Sequence, residues 1–166
     1  MNSLFYTSFA TGILSTLIVW LTSAMGIESW LVFLGATSYF ASQEKGGKGL
    51  IQVWLANASG ALWAIAILFL SDFFTGNLSA YLTTGVIAFM MCMQAKLPVL
   101  KFIPGTFIGS AAIFATEASW EMTFLALFIG AIFGYLMLHG GEWLHKYGNQ
   151  RKECSSSVPS SSAVTK

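Results

Sequence analysis

Apolar runs long enough to cross a bilayer alternate with short polar breaks along most of this chain. Six runs stand out, at 4–24, 28–43, 50–71, 78–95, 98–116 and 120–141. A hydrocarbon core about 30 Å thick takes roughly 20 residues of helix, with a range of about 17–25. The pattern therefore predicts six transmembrane helices. The second run is short, its uncharged stretch running from Ser29 to Gln43, and the fifth holds Lys101 and Pro104. Either is expected to be tilted, kinked or partly re-entrant. The breaks carry the punctuating residues Gly26, Gly46-Gly47, Gly76-Asn77 and Pro98. From Gly148 the chain turns polar, with Arg151, Lys152 and six serines between 155 and 162. Two regions follow: a six-helix transmembrane domain over 1–147 and a disordered, serine-rich cytoplasmic tail over 148–166. The first run has no Lys or Arg before it and exceeds a usual signal-peptide core, so it is expected to be retained.

Composition sharpens this picture. The chain is 55% hydrophobic and 9% charged, with a mean hydropathy of +0.69. Soluble domains carry about 25% charged residues, and a surface this poor in charge is not soluble. The class is all-α membrane protein, with the lipid bilayer as its first partner. A net charge of +1 supplies no basic face for phosphates, which excludes a nucleic-acid binder. The eight Lys and Arg residues fall after run two (Lys45, Lys48), around the break between runs four and five (Lys96, Lys101), and after run six (Lys146, Arg151, Lys152, Lys166). The other three breaks hold only Glu28, Asp72, Glu117 and Glu121. Six spans with both termini in the cytoplasm place every positive charge inside.

An internal repeat is visible. Thr11–Ser15 resembles Thr84–Ala88, Phe33–Ala41 resembles Phe107–Ala115, and Gly60–Ala64 resembles Gly130–Gly134, at offsets of 73, 74 and 70 residues with eight of nineteen pairs identical. The units are about 4–71 and 78–145. With three spans each, the second is inverted relative to the first, a 3+3 arrangement found in transporters and channels, with sites near the midplane.

No catalytic or metal-binding constellation appears, and the expectation is a protein that is not an enzyme and has no cofactor or metal. His139, Glu142 and His145 are read as an interfacial helix end, and Glu117 with Glu121 as solvated boundary charge. Cys92 and Cys154 have no ligand or disulfide spacing. Glycine stripes recur at Gly105 and Gly109, at Gly130 and Gly134, and around Gly60. They predict close helix packing, or room for a permeant. Candidate pore or midplane residues are Gly35, Thr37, Asn57, Thr106, Gly109 and Ser110. Asn57 reads either as interhelical glue or as pore lining. Gly35 and Gly109, from the best-matched runs, are expected to face each other across the repeat. Pro104-Gly105 either breaks a helix near the midplane or begins one at the inner interface. With no central Asp, Glu or His in any run, passive passage of small neutral or weakly anionic solutes fits better than proton-driven pumping. A homo-oligomer is expected. The competing reading is a non-transporting assembly or regulatory partner.

The stretches SWLVFLGATSYFA, KGLIQVWLANASGALWA, GVIAFMMCMQAK, FIPGTFIG and IFGYLM resemble the bacterial YcdZ-like family of small inner-membrane proteins, a domain of unknown function, over roughly residues 8–145. The resemblance implies a bacterial inner-membrane location and a multi-span helical fold, and brings no site residues with it. A looser similarity links the short second run, basic break and glycine-rich third run to half-modules of aromatic-acid exporters, as analogy.

The charge pattern yields a topology test. Reporter fusions after Ser42, Gln94 and Tyr147 are expected to be cytoplasmic, and one after Thr75 periplasmic. A periplasmic signal at Gln94 contradicts the arrangement.

Overall fold

Inside lipid, helix satisfies every backbone N–H and C=O within its own segment, and in this computed structural model the chain is helical throughout its regular elements. The structure describes residues 3–73, 77–117 and 119–156. The helices are α1 (Ser3–Met25), α2 (Ser29–Ala41), α3 (Gly46–Phe73), α4 (Asn77–Met93), α5 (Ile103–Ala115) and α6 (Trp120–Ser156), with a short 3-10 turn at Gln94–Lys96 after α4. Among the described residues there is no strand. The expected break at Gly76 and the last residues of the tail, 157–166, lie outside the described residues.

Among the described residues, three helices are long and apolar enough to cross a membrane: Leu4–Met25, Gly46–Leu70 and Trp120–Tyr147. The second and fifth runs are not full-length helices. α2 and α5 have 13 residues each, so at 1.5 Å per residue each is about 20 Å long. Proline explains the shortening of α5. Leu97–Leu100 forms a turn closed by a 2.9 Å bond from Leu100 N–H to the Leu97 carbonyl. Phe102 caps the helix, and Pro104 sits in its first turn, where its missing N–H costs nothing. Pro104 therefore begins a helix and does not break one. At the other end of the chain, α6 continues to Ser156, past the expected start of a disordered tail at 148. Gln150, Arg151, Lys152 and Glu153 are good helix formers, and this polar stretch of sequence carries the helix on.

The helices pair unequally. α2 packs most extensively on α6, α3 on α5, and α1 on α6. Glycine makes the first two crossings close. On the α2–α6 side, a Cβ on Gly35 would overlap the Leu127 carbonyl, and one on Gly130 would overlap the Val32 carbonyl. On the α3–α5 side, a Cβ on Gly60 would overlap the Thr106 carbonyl, and one on Gly109 the Asn57 carbonyl. Gly134 adds to the first crossing against Ala36 and Tyr39, and Gly105 to the second against Ala56 and the Phe102 ring. The buried apolar side chains follow these pairs: Ile18, Leu31, Val32, Leu127 and Met137 form one cluster, and Ala61, Ala64 and Ile113 another.

The ends of the bundle differ. At one, Lys101 forms a 2.9 Å ion pair with Glu44, the Tyr6 ring meets His145, and Gly141 abuts Thr7. This end gathers the start of α1, the α2–α3 and α4–α5 connections, and the far part of α6. At the other, hydroxyl pairs clamp the joints: Thr22 with Ser29 at 2.7 Å, and Thr116 with Thr123 at 2.8 Å. Gly26 turns the chain there with φ 68, a value that favours glycine.

These crossings predict a sharp split among glycine variants. Gly35→Val and Gly109→Val drive a branched side chain into a facing carbonyl, and each is expected to destabilise the protein by about 1–3 kcal/mol or more. Gly12→Ala and Gly85→Ala enter open space and are expected to change stability by no more than about 0.5 kcal/mol. Thermal unfolding in detergent measures both.

Candidate functional site

Asn57 lies 11 residues into α3, roughly 16 Å from its first residue at 1.5 Å per residue. The residue is buried between α2 and α5, its side chain bonded to α2 and its backbone packed on Gly109 of α5. Ser38 of α2 donates to Asn57 Oδ1 at 2.8 Å. Asn57 Nδ2 has no partner, and among the described residues it is the one fully buried side-chain polar atom in that state. A buried donor left unpaired costs about 1–3 kcal/mol, so this position favours any group that accepts from it.

A second polar knot lies on the other side of α3. Gln94, in the 3-10 turn, extends its amide between α3 and α5. Its Oε1 accepts from Ser59 Oγ at 2.6 Å and from Trp63 Nε1 at 2.8 Å, and its Nε2 donates to Thr106 Oγ1 at 2.9 Å. One neutral amide thus ties three elements together. Ser59 and Trp63 are four residues apart and share a helix face. All the groups in both polar clusters are uncharged.

Between α3 and α6 lies a cavity of about 430 Å³, lined by Trp54, Leu55, Asn57 and Ala58 from one helix and Phe124, Leu125, Leu127 and Phe128 from the other. Trp54 stacks on Phe128 with ring centroids 3.8 Å apart and also donates Nε1–H to the Phe128 carbonyl at 3.3 Å. The walls are aromatic and aliphatic.

The residues singled out in the sequence divide clearly. Asn57, Thr106, Ser110, Gly35 and Gly109 are all buried. Gly35 and Gly109 do not face each other, however: Gly35 packs on α6 and Gly109 on Asn57 of α3. They hold helices together, as Gly60, Gly105, Gly130 and Gly134 do. Thr37 is exposed on the outer face of α2, and its neighbour Ser38 is the hydroxyl turned inward. Gln94 belongs to no motif in the sequence, although an amide at the end of an apolar run is a signal. His139 and His145 engage different neighbours, His139 its own helix carbonyl at Tyr135 and His145 the Tyr6 ring.

Comparison with known proteins gives a family. A family described as "Protein of unknown function (DUF1097)" matches residues 8–142. The chain is 42% identical over 145 residues to "Inner membrane protein YcdZ" of Escherichia coli K12, covering 87% of this chain and 89% of that protein. It is 40% identical over 167 residues to the protein of the same name from Salmonella typhimurium LT2, covering 100% of both. It is 27% identical over 162 residues to "Uncharacterized protein YahC" of Escherichia coli K12, covering 91% of this chain and 98% of that protein. No solved structure matches.

Gln94→Leu leaves Ser59, Trp63 and Thr106 without this partner and is expected to cost about 1–3 kcal/mol. Thr37→Ala, on the exposed face, is expected to stay within about 0.5 kcal/mol of the parent. Equal stabilities for the two variants would contradict the structural role assigned to Gln94.

Proposed function

The chain belongs to the DUF1097, YcdZ-like family, and from that premise we propose that it is a multi-pass inner-membrane facilitator for small neutral or weakly anionic solutes, built as a 3+3 inverted repeat with both termini cytoplasmic. The observation that carries the solute reading is the unpaired Nδ2 of Asn57 at the buried junction of α2, α3 and α5. A passing carbonyl, hydroxyl or carboxylate oxygen accepts from this donor in place of a missing protein partner. The groups beside it are neutral, so the solute is held weakly and released, with no titrating group to couple passage to protons.

Matching contacts support the inverted repeat. Shifted by 74 residues from α2 to α5 and by 70 from α3 to α6, Gly35 against Leu127 becomes Gly109 against Asn57. By the same shifts, Gly130 against Val32 becomes Gly60 against Thr106. The α3–α6 cavity obeys the same rule: Trp54, Leu55, Asn57 and Ala58 correspond to Phe124, Leu125, Leu127 and Phe128 at an offset of 70. The cavity therefore sits on the proposed pseudo-twofold axis. The gathering of Glu44, Lys101, Tyr6 and His145 at one end supports placing the basic connections and both termini on one side.

The packing suggests how passage occurs. α2–α6 and α3–α5 are the tightly crossed pairs, and the polar contacts that bridge them include Ser38 to Asn57, the Tyr39 hydroxyl with the N–H and carbonyl of Gly46, and Trp54 to the Phe128 carbonyl. In the proposed mechanism the pairs shift as units and open the junction, and a solute oxygen accepts from Asn57 Nδ2 while Ser38 keeps its bond to Oδ1. Homo-oligomers form through the outer faces of α1 and α4, repeat mates that expose Ile13, Leu17, Trp20, Tyr81, Val86 and Phe89.

Stopped-flow swelling of liposomes containing the purified protein tests this reading, with urea, glycerol, short-chain acids and aromatic acids as solutes. Wild-type protein is expected to raise flux of at least one class above empty liposomes without a proton gradient. Asn57→Leu is expected to lose about tenfold of that flux, the equivalent of one charge-free hydrogen bond, while keeping its circular dichroism spectrum and insertion. Flux that survives Asn57→Leu sinks the junction as the route, and flux that requires an imposed proton gradient sinks the passive mechanism.

A further inference from the structure

At the basic end, a cavity of about 430 Å³ opens between the end of α2, the second turn of α3 and the start of α5, lined by Ala41, Gln43, Gln52, Lys101, Phe102 and Pro104. Gln52 is the informative residue. It is only 7% exposed and lines this cavity, and no hydrogen bond to its amide is made among the described residues. Asn57 Nδ2 is the fully buried unpaired atom among the described residues, so the Gln52 amide is open to the cavity it lines, where a ligand can bond it. The same cavity is lined by Lys101, Gln43 and the first turn of α5, whose N-terminus carries partial positive charge. The remaining wall, Ala41, Phe102 and Pro104, is apolar.

We propose that this cavity is a binding site for a small monocarboxylate, whose carboxylate lies between Gln52, Gln43 and Lys101 and whose hydrocarbon part lies against Phe102 and Pro104. Two amides and one ammonium suit a single negative charge better than a dianion. The charge balance supports this. Lys101 is paired with Glu44 at 2.9 Å, and that hydrogen bond, aided by Lys48, holds the Glu44 carboxyl below its usual range. Both partners are about half exposed, so the bond is weak and exchangeable. An arriving carboxylate competes with Glu44 for the same ammonium.

The opposite end supplies a contrast. A second cavity there is lined by Ala115, Glu117, Met122, Glu28 and Trp30. At the repeat offsets of 74 and 70 these positions correspond to Ala41, Gln43, Gln52, Phe102 and Pro104. The position recurs, in a larger cavity of about 580 Å³, while the chemistry changes: Gln43 is matched by Glu117, and Gln52 by Met122. The amide-and-lysine set is therefore particular to the basic end and is not a by-product of the fold.

The test is binding in neutral detergent, measured as the shift in thermal unfolding with ligand concentration, so it stands or falls apart from any flux at Asn57. Sodium butyrate is expected to stabilise the full chain saturably, beyond equimolar sodium chloride, whereas butyramide does not. Lys101→Met, a surface change, and Gln52→Leu are each expected to weaken butyrate binding about tenfold, and Glu44→Gln to tighten it. Butyrate acting no better than chloride or butyramide overturns the proposal, as does unchanged affinity in Lys101→Met and Gln52→Leu. A third overturning result is stabilisation that needs these residues but comes only from phosphatidylglycerol nanodiscs, which would assign the cavity to a lipid headgroup.

Discussion

Carbonyl against glycine is the contact on which this fold depends. In lipid, helices gain nothing from hiding apolar side chains from water, so association rests on close van der Waals packing and a few interhelical hydrogen bonds. Four positions lacking a Cβ bring backbone onto backbone: Gly35 and Gly130 for α2 on α6, Gly60 and Gly109 for α3 on α5. α2 and α5 are short, and these crossings seat them inside the bundle against longer helices. Once both are seated, the depth of every polar group is set, including Ser38, Asn57 and Thr106.

Polar groups at that depth follow a strict rule, because neither lipid nor apolar side chains can replace water. The Gln94 amide obeys it by satisfying Ser59, Trp63 and Thr106 together. Asn57 obeys it by half, bonded through Oδ1 and open at Nδ2. Gln52, near the basic end, makes no hydrogen bond through its amide among the described residues and opens onto a cavity. Two amides with spare capacity, one at the helix junction and one at the cavity of the basic end, are a disposition that packing alone does not require. Packing would be served equally by apolar residues of similar size.

The proposed repeat also constrains how the two halves can diverge. Contacts that hold the helices match across the repeat, whereas the cavities at the two ends match in position and differ in charge. A shared backbone plan is thus compatible with distinct electrostatics at the two ends of the bundle, since only the side chains lining the end cavities need differ.

The sequence by itself determined the helical membrane class, the helix positions to within a few residues for α1, α2 and α4, the glycines that lie at crossings, and the charge asymmetry of the connections. These are local properties: apolar run length, residue size and net charge do not depend on what a helix faces. Only the tertiary structure decided that Ser38 and not Thr37 turns inward, because successive residues differ by about 100° around a helix and the inward direction is set by the neighbours. Only it decided that Gly35 meets α6 and not Gly109, that Gln94 closes onto α3 and α5, and that Pro104 opens a helix. In each case the answer lay in the pairing of elements distant in sequence, which the steric fit of glycine to carbonyl fixes and composition does not encode.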